Sequence, residues 1–188
     1  MIIEPAVLAD APAIAAVHVA AWRSAYANIL PSTYLATLSL TRHTAMHHQA
    51  IATGRSVLVA RADHDERLVG FCTAGRPRTP GLAEGEVETL YVLDDYRDQG
   101  LGRGLLQQAA GTLAAKGCKT LFLWVLQDNP SRWFYERLGG RPTATSPTRV
   151  AGKTFTQTAY LWDPITLLLK PSPSGKGLGE GNGPADQS

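Results

Sequence analysis

The chain has few cysteines, no strong excess of either charge and no long apolar run. Cys72 and Cys118 lie far apart, without Cys-x-x-Cys or Cys/His spacing, so neither a disulfide framework nor a metal site is predicted. The 18 Lys and Arg against 16 Asp and Glu give a formal charge of +2, well short of the basic excess typical of nucleic-acid-binding proteins. No stretch approaches the roughly 18 apolar residues of a membrane span, and the start MIIEPAVLAD does not read as a secretory signal. We therefore expect a cytoplasmic protein with free thiols that binds neither nucleic acid nor membrane.

Length and composition favour one domain followed by a tail. A chain of 188 residues with 44% hydrophobic content can bury one sizeable core, and we predict a single domain over residues 1–170. Residues 171–188, PSPSGKGLGEGNGPADQS, are rich in Pro, Gly and Ser and too polar to fold alone. This tail is predicted to be disordered.

Helical and extended patterns alternate along the chain. A short strand, IIEP, precedes a helix that Asp10 can cap, and a second helical region follows Pro31 and can be closed by Gly54. SVLVAR and RLVGFCTAG are predicted to form an antiparallel hairpin, and EVETLYV a further strand. A helix with an apolar stripe ends at Gly117, and DPITLLLK near the C-terminus is either a last strand or a short helix.

Three glycines, Gly100, Gly102 and Gly104, lie at the joint between the strand EVETLYV and the next helix. Glycine weakens a helix by about 1 kcal/mol relative to alanine, so this cluster needs a reason. The first N–H groups of a helix lack internal partners and lie at the positive end of its dipole, and glycine lets an anion approach them closely. We predict that the turn binds phosphate.

Two known phosphate-binding patterns do not fit this turn. GxxxxGK[ST] is absent, and GxGxxG fails because Leu105 stands where the third glycine belongs. What remains is Arg97-x-x-Gly100-x-Gly102, in which the chain resembles the GNAT superfamily of acyl-CoA-dependent N-acyltransferases. The downstream segment LFLWVLQDNPSRWFYERLGGRP is also similar to that family, with Asn129 and then FYE before a glycine. It departs only in ending Gly139-Gly140 where Gly-Phe is usual, which removes a core aromatic.

The resemblance implies an α+β fold with α/β/α layers. It implies a mixed, mostly antiparallel sheet of six or seven strands, in which EVETLYV and KTLFLWVL run parallel and splay apart to admit the pantetheine arm of acetyl-CoA. Strand backbone would pair with that arm, turn amides would hold the pyrophosphate, and arginines would meet the nucleotide phosphates. The implied cofactor-binding residues are Leu90, Tyr91, Val92, Arg97, Asp98, Gln99, Gly100, Leu101, Gly102, Arg103, Asn129 and Arg132.

The same resemblance implies direct acetyl transfer to an amine. Tyr135 is the expected general acid for the leaving thiolate, and Glu86 or Glu88 the expected base, with Glu86 preferred and water relay left open. Their spacing of two places both carboxylates on one strand face, the face of Leu90 and Val92, although either one could simply solvate the strand. A backbone N–H near Val92 is the expected oxyanion donor.

Several alternatives stay open at this point. The acceptor is expected to be a small-molecule amine, but a protein N-terminus or lysine fits the sequence too, as does a non-catalytic CoA-binding sensor module. A homodimer is also left open. Trp22, Tyr26 and Trp124 are interpreted as core or as pocket walls, while His47 and His48 are predicted to be solvated. Cys72 is interpreted as a small buried hydrophobe rather than an acyl carrier.

Overall fold

Seven strands form one mixed sheet in a computed structural model that describes residues 1–169. The strands are β1 (Ile2–Pro5), β2 (Ser56–Arg61), β3 (Leu68–Gly75), β4 (Gly85–Val92), β5 (Leu121–Leu126), β6 (Arg141–Val150) and β7 (Lys153–Trp162), in the order β1-β2-β3-β4-β5-β7-β6. Every neighbouring pair is antiparallel except β4 and β5. The predicted mixed, mostly antiparallel sheet is therefore confirmed, while the predicted tail at 171–188 lies outside the described residues.

Helices cover both faces of the sheet. They are α1 (Ala11–Ala25), α2 (Ser32–Ala36), α3 (Leu40–Ala52), α4 (Leu101–Ala115) and α5 (Arg132–Arg137). The apolar stripe of α4 packs on one face through Leu105 and Leu106, both fully buried. On the other face Ile14 and Val17 of α1 pack against Phe71 of β3. This arrangement confirms the α/β/α layers.

Local structure differs from the sequence predictions near the N-terminus, and near the C-terminus it decides between two predicted alternatives. Asp10 precedes α1 but does not cap it; its carboxylate instead accepts the N–H of Val7 (2.9 Å) and a bond from Arg61 Nη2 (2.7 Å). The helical region after Pro31 is two helices, because Ser39 starts α3 by accepting the N–H of Arg42 (3.2 Å). Near the C-terminus, DPITLLLK contains a short 3-10 helix, Ile165–Leu167, rather than a strand.

The parallel strands β4 and β5 separate soon after they meet. Their register runs Gly85↔Leu121, Glu86↔Phe122 and Val87↔Leu123, and it stops there although β4 continues to Val92. A β-bulge also lies in β4, since Ala74 of β3 pairs with Val87 and Thr73 pairs with Thr89, leaving Glu88 as the extra residue. The opening between the strands is the splay that the resemblance implied.

The bulge contradicts the prediction that Glu86 lies on the same strand face as Leu90 and Val92. Val87, Leu90 and Val92 all pack into the cluster beneath α4. Glu86 precedes Val87 in regular strand, so it points to the opposite face from all three. The sequence argument counted by twos along β4, and an inserted residue shifts that count by one.

The unusual Gly139-Gly140 pair has a packing reason. A Cβ on Gly140 would lie 2.8 Å from Trp162 Cζ2 and 2.9 Å from the Tyr135 carbonyl oxygen, so no side chain fits there. Trp162 is fully buried and its Nε1 donates to the Leu138 carbonyl (2.9 Å). The aromatic ring that the sequence lacks at position 140 is thus supplied by β7.

Candidate active site

A cleft of about 480 Å³ opens where β4 and β5 part. Its walls come from the C-terminal end of α1, from β4 and β5, from the glycine turn with the first turn of α4, and from α5. The cleft therefore joins the residues of both sequence motifs.

The glycine turn forms one end of this cleft with unbonded backbone donors. Gly100 (φ 81°) and Asp98 (φ 59°) adopt left-handed backbone, which glycine tolerates and which reverses the chain ahead of α4. The first helical bond runs from the Gly104 N–H to the Gly100 carbonyl (2.9 Å). The N–H groups of residues 101–103 therefore precede the helical ladder and can bind an anion.

The side chains of the turn divide into two sets. Arg97, Asp98, Gly100, Gly102 and Arg103 line the cleft. Gln99 and Leu101, predicted with them, do not: the Gln99 amide donates to the Asp95 carbonyl (3.0 Å) and Leu101 is buried in the core. These two residues can contribute only backbone groups to a ligand.

The opposite wall of this end comes from the start of α5. Asn129 lines the cleft, is 5% exposed, and accepts the Ser131 N–H (2.9 Å), which leaves its amide N–H groups available. Arg132 is not among the lining residues; its Nη1 donates to the Gln127 carbonyl (3.1 Å) and its guanidinium stacks on Trp133. Arg137 does line the cleft and sequence reasoning missed it, because an arginine on a short helix carries no signal of its direction.

Strand β4 presents free backbone to the cleft beyond the last parallel pair. The Leu93 N–H donates to the Val69 carbonyl of β3 (2.9 Å), and in an antiparallel ladder these bonds alternate along the strand. The backbone groups of Leu90 and Val92 therefore point toward the open side, and those of Tyr91 toward β3. All three residues line the cleft.

Tyr135 of α5 contributes an unused hydroxyl to the cleft. It is 8% exposed, lines the cleft and is held by Trp162 and Tyr160. Its hydroxyl has no hydrogen-bond partner within residues 1–169. Burial raises the pKa of the Tyr135 phenol above its ordinary value, so it stays protonated at neutral pH.

The two glutamates of β4 differ in what their oxygens contact. Glu86 is 1% exposed and lies outside the cleft lining; Oε2 accepts the Arg78 backbone N–H (2.6 Å) and Oε1 accepts the Arg78 guanidinium. Glu88 lines the cleft, and both bonds from the Arg55 guanidinium fall on its Oε1. Its Oε2 has no donor among the described residues, so it can accept a ligand proton.

Other reactive groups lie away from this chemistry. Cys72 is fully buried, and burial raises the pKa of its thiol to about 12, which excludes a thiolate nucleophile there. Among residues 1–169 no group of three or more His, Cys, Asp and Glu side chains is placed to hold a metal ion. Nor is any helix in that range long and apolar enough to cross a membrane.

The histidine prediction was wrong for His47, which is buried. Its Nε2 lies 2.9 Å from Nδ1 of His18 on the facing helix α1. His48, the next residue, is exposed as predicted. The sequence could not show that α3 turns this one residue toward α1.

Comparisons with known proteins agree with this geometry. Residues 20–140 match the Acetyltransferase (GNAT) family. The chain is 30% identical to the uncharacterized N-acetyltransferase YuaI of Bacillus subtilis over 167 residues, which cover 88% of this chain and 95% of that protein.

Solved structures share the fold at lower identity. The ribosomal-protein-alanine N-acetyltransferase of Brucella melitensis superposes with a TM-score of 0.68 at 21% identity, over 87% of this chain and 99% of that one. YncA of Salmonella typhimurium, a structure with its cofactor acetyl-CoA, gives a TM-score of 0.64 at 21% identity, over 95% and 99%. The fold is that of the acyl-CoA N-acyltransferases. The chain belongs to the GNAT acetyltransferase family and is an acyltransferase.

Proposed function

We propose that this protein transfers the acetyl group of acetyl-CoA directly to a primary amine of a small molecule. The observation that carries this proposal is that anion-binding groups and a carboxylate occupy different parts of one continuous cleft. Free helix-start N–H groups line the glycine-turn end together with Arg97 and Arg103, and a carboxylate with one unoccupied oxygen lies where β4 and β5 part.

The donor would lie along β4. Its pyrophosphate would bind the N–H groups of residues 101–103 beside Arg103, because these groups have no helical partner. The amides of the pantetheine arm would pair with the free backbone of Leu90 and Val92, as an added strand would. Asn129 would add its amide N–H groups from the opposite wall.

The proton path assigns one role to each of two side chains. An amine with a pKa of about 10.4 arrives as an ammonium, and Glu88 Oε2 takes one proton from it and passes it to water. The freed nitrogen attacks the thioester carbon, and the oxyanion that forms is held by the Leu90 N–H, which is nearer to Glu88 than the Val92 N–H is. The Leu90 carbonyl and the Val92 backbone are left to the pantetheine arm. As the C–S bond breaks, Tyr135 protonates the sulfur and regains its proton from the nitrogen. The products are an amide, free CoA thiol and one released proton.

Glu88 is the better base of the two predicted glutamates. Glu86 has both oxygens occupied by Arg78 and lies outside the cleft, so it cannot take a proton without breaking that pair. We assign Glu86 to holding the loop that contains Arg78. The preference that the sequence suggested is thereby reversed.

A small acceptor is favoured over a polypeptide by the packing beside Tyr26. Leu35 of α2, Leu126 of β5 and Phe155 of β7 share one apolar cluster with it. Side chains from these elements thus surround Tyr26, and this packing favours a small acceptor over an extended peptide, which would need an open groove. A cytoplasmic location and the possibility of a homodimer stay predictions.

The test is release of free CoA thiol from acetyl-CoA with amines, aminoglycosides and peptides offered in turn. We expect turnover with at least one small amine, accompanied by loss of its free amino group in a mass spectrum. Tight CoA binding by calorimetry without turnover on any acceptor would favour the sensor module instead. Turnover on peptides alone would favour a protein acetyltransferase.

A further inference from the structure

Two side chains flank the point where the parallel strands separate. The last paired residues are Val87 and Leu123, so Glu88 and Trp124 are the first residues on either side of the opening. Both line the cleft. Glu88 and Trp124 therefore border the narrow end of the opening between the two strands.

The ring of Trp124 is partly exposed and fixed in place. Leu123 and Val125 pack beneath α4, so Trp124 between them points to the opposite face. There it packs edge-to-face on the fully buried Phe122, with ring centroids 6.1 Å apart. Trp124 therefore offers the cleft a rigid aromatic surface.

A second aromatic surface comes from the end of α1. Tyr26 lines the cleft and its ring packs on Trp22 with centroids 4.9 Å apart. Trp22 is itself fixed, since its Nε1 donates to the Tyr91 hydroxyl (2.8 Å). Neither wall needs to reorganise to receive a flat apolar group, and pre-ordered walls reduce the entropic cost of binding.

The charged groups near Trp124 and Tyr26 offer a partner for one ammonium group of an acceptor. Among the described residues that line the cleft, the carboxylates are Glu88 and Asp98, and Asp98 lies in the glycine turn. Glu88 has one free oxygen, and its other oxygen is held by the Arg55 guanidinium. A second ammonium on the acceptor would find no further carboxylate among the described residues that line this part of the cleft.

We propose that the acceptor is a monoamine with a flat aromatic body, held between Trp124 and Tyr26 with its nitrogen on Glu88 Oε2. This inference rests on the proposed function and adds the class of acceptor. It excludes polyamines and aminoglycosides as good substrates, because their further ammonium groups would be desolvated there without a carboxylate partner.

The test compares kcat/KM for 2-phenylethylamine, butylamine, spermidine and kanamycin at saturating acetyl-CoA. We expect 2-phenylethylamine to exceed each of the others at least tenfold. Trp124→Leu should remove most of this preference by lowering kcat/KM for 2-phenylethylamine about tenfold while changing that for butylamine less than threefold. The matched control is Trp133→Leu, an exposed tryptophan that does not line the cleft, and it should leave the ratio between the two amines unchanged.

The outcomes separate this inference from the proposed function. CoA titration and a thermal melt first establish that each variant is folded, and Tyr26→Leu serves as a second variant if Trp124→Leu is not. Faster turnover of spermidine or kanamycin, or equal loss on both monoamines in Trp124→Leu, overturns the aromatic acceptor and leaves acetyl transfer standing. No turnover of any amine overturns both.

Discussion

The two ends of the cleft are built in different ways. Most of the glycine-turn end is one continuous piece of chain, since residues 97–103 supply its arginines and free N–H groups, with Asn129 added from the opposite wall. The acceptor end is assembled from distant segments: Tyr26 from α1, Glu88 from a bulge in β4 and Trp124 from β5. A site made of neighbours in sequence can be altered by one residue at a time with local effect, whereas an assembled site depends on register and packing elsewhere.

The largest expected effect is that of Tyr135→Phe. The change removes only the hydroxyl that would protonate the leaving sulfur. We expect turnover to fall about 100-fold to 10,000-fold, the usual loss of one acid catalyst, while CoA affinity measured by calorimetry changes little. A fall of less than threefold on a verified acceptor would make Tyr135 a packing residue.

Tyr160→Phe is the matched control for this change. Tyr160 is also buried, but its hydroxyl donates to Glu136 (2.9 Å) and it does not line the cleft. Turnover should stay within threefold of the parent. An equal loss in both variants would point to disturbed packing around α5 rather than to lost acid catalysis.

The next largest effect separates the two glutamates of β4. Glu88→Gln should lower turnover by about 100-fold or more near neutral pH, because the amide cannot take the proton of an ammonium. The loss should shrink at high pH, where free amine is abundant. Rates measured across pH on one acceptor test this prediction.

Glu86→Gln should instead act on stability. The buried carboxylate accepts three bonds from Arg78, and replacing its charge weakens them. The Arg78 side chain is 57% exposed, so solvent screens the pair, and we expect the free energy of unfolding to fall by about 1–2 kcal/mol with turnover nearly unchanged. A pH-dependent loss of rate in Glu86→Gln but not in Glu88→Gln would exchange the two roles.

How far the site could be predicted from the sequence also differs between the glycine-turn end and the acceptor end of the cleft. Arg97, Gly100 and Gly102 were found because a turn at a strand-to-helix joint has a local signature, and the mixed sheet with its splayed parallel pair followed from the resemblance. The facing of Glu86 was mispredicted because a bulge depends on the partner strand β3 and leaves no mark in β4 itself. Arg55 and Arg78, which fix the two carboxylates, lie outside every motif.

Contacts between distant helices and strands could not be predicted from the sequence either. His47 and His48 are adjacent and alike in sequence, and only the docking of α3 on α1 buries one of them against His18. Trp124 was interpreted as core or pocket wall, and it lines the cleft because the strand pairing stops one residue earlier, at Leu123. Each of these outcomes depends on contacts between segments distant in sequence.

A smaller effect is expected at the glycine-turn end. In Gly102→Val the new Cβ would lie 3.3 Å from the Phe134 ring and its methyl groups would stand where phosphate approaches the N–H groups. We expect CoA affinity to fall about tenfold, roughly 1.4 kcal/mol, with the fold kept. Gly111→Val, on the same helix with ordinary contact distance to Leu169, is the control and should bind CoA as the parent does. Unchanged affinity in Gly102→Val would remove the turn from the phosphate site.

The last prediction concerns His18 and His47, which lie behind the acceptor end of the cleft and have the smallest effect on the protein at neutral pH. His18 stacks on Tyr91 (centroids 5.1 Å apart) and bonds His47, and burial lowers the pKa of His18 to about 3 and that of His47 to about 4. Well above pH 6.5 both are neutral in the folded and unfolded chain, so there neither changes stability with pH. As pH falls below that value the unfolded chain takes up protons that the folded chain does not. The free energy of unfolding should then fall by up to about 1.4 kcal/mol per pH unit for each histidine until its folded pKa is reached.

Denaturant unfolding at pH 7 and pH 5 measures this loss, and the variants isolate its source. His47→Gln removes one of the two titrating groups, so the decline between the two pH values should be about 2 kcal/mol smaller than in the parent. His48→Gln, at the exposed neighbouring position, should show the parent's decline. If His47→Gln and the parent decline equally, protons enter the folded chain at these histidines more easily than their burial implies, and the wall behind Tyr91 is open to water rather than packed.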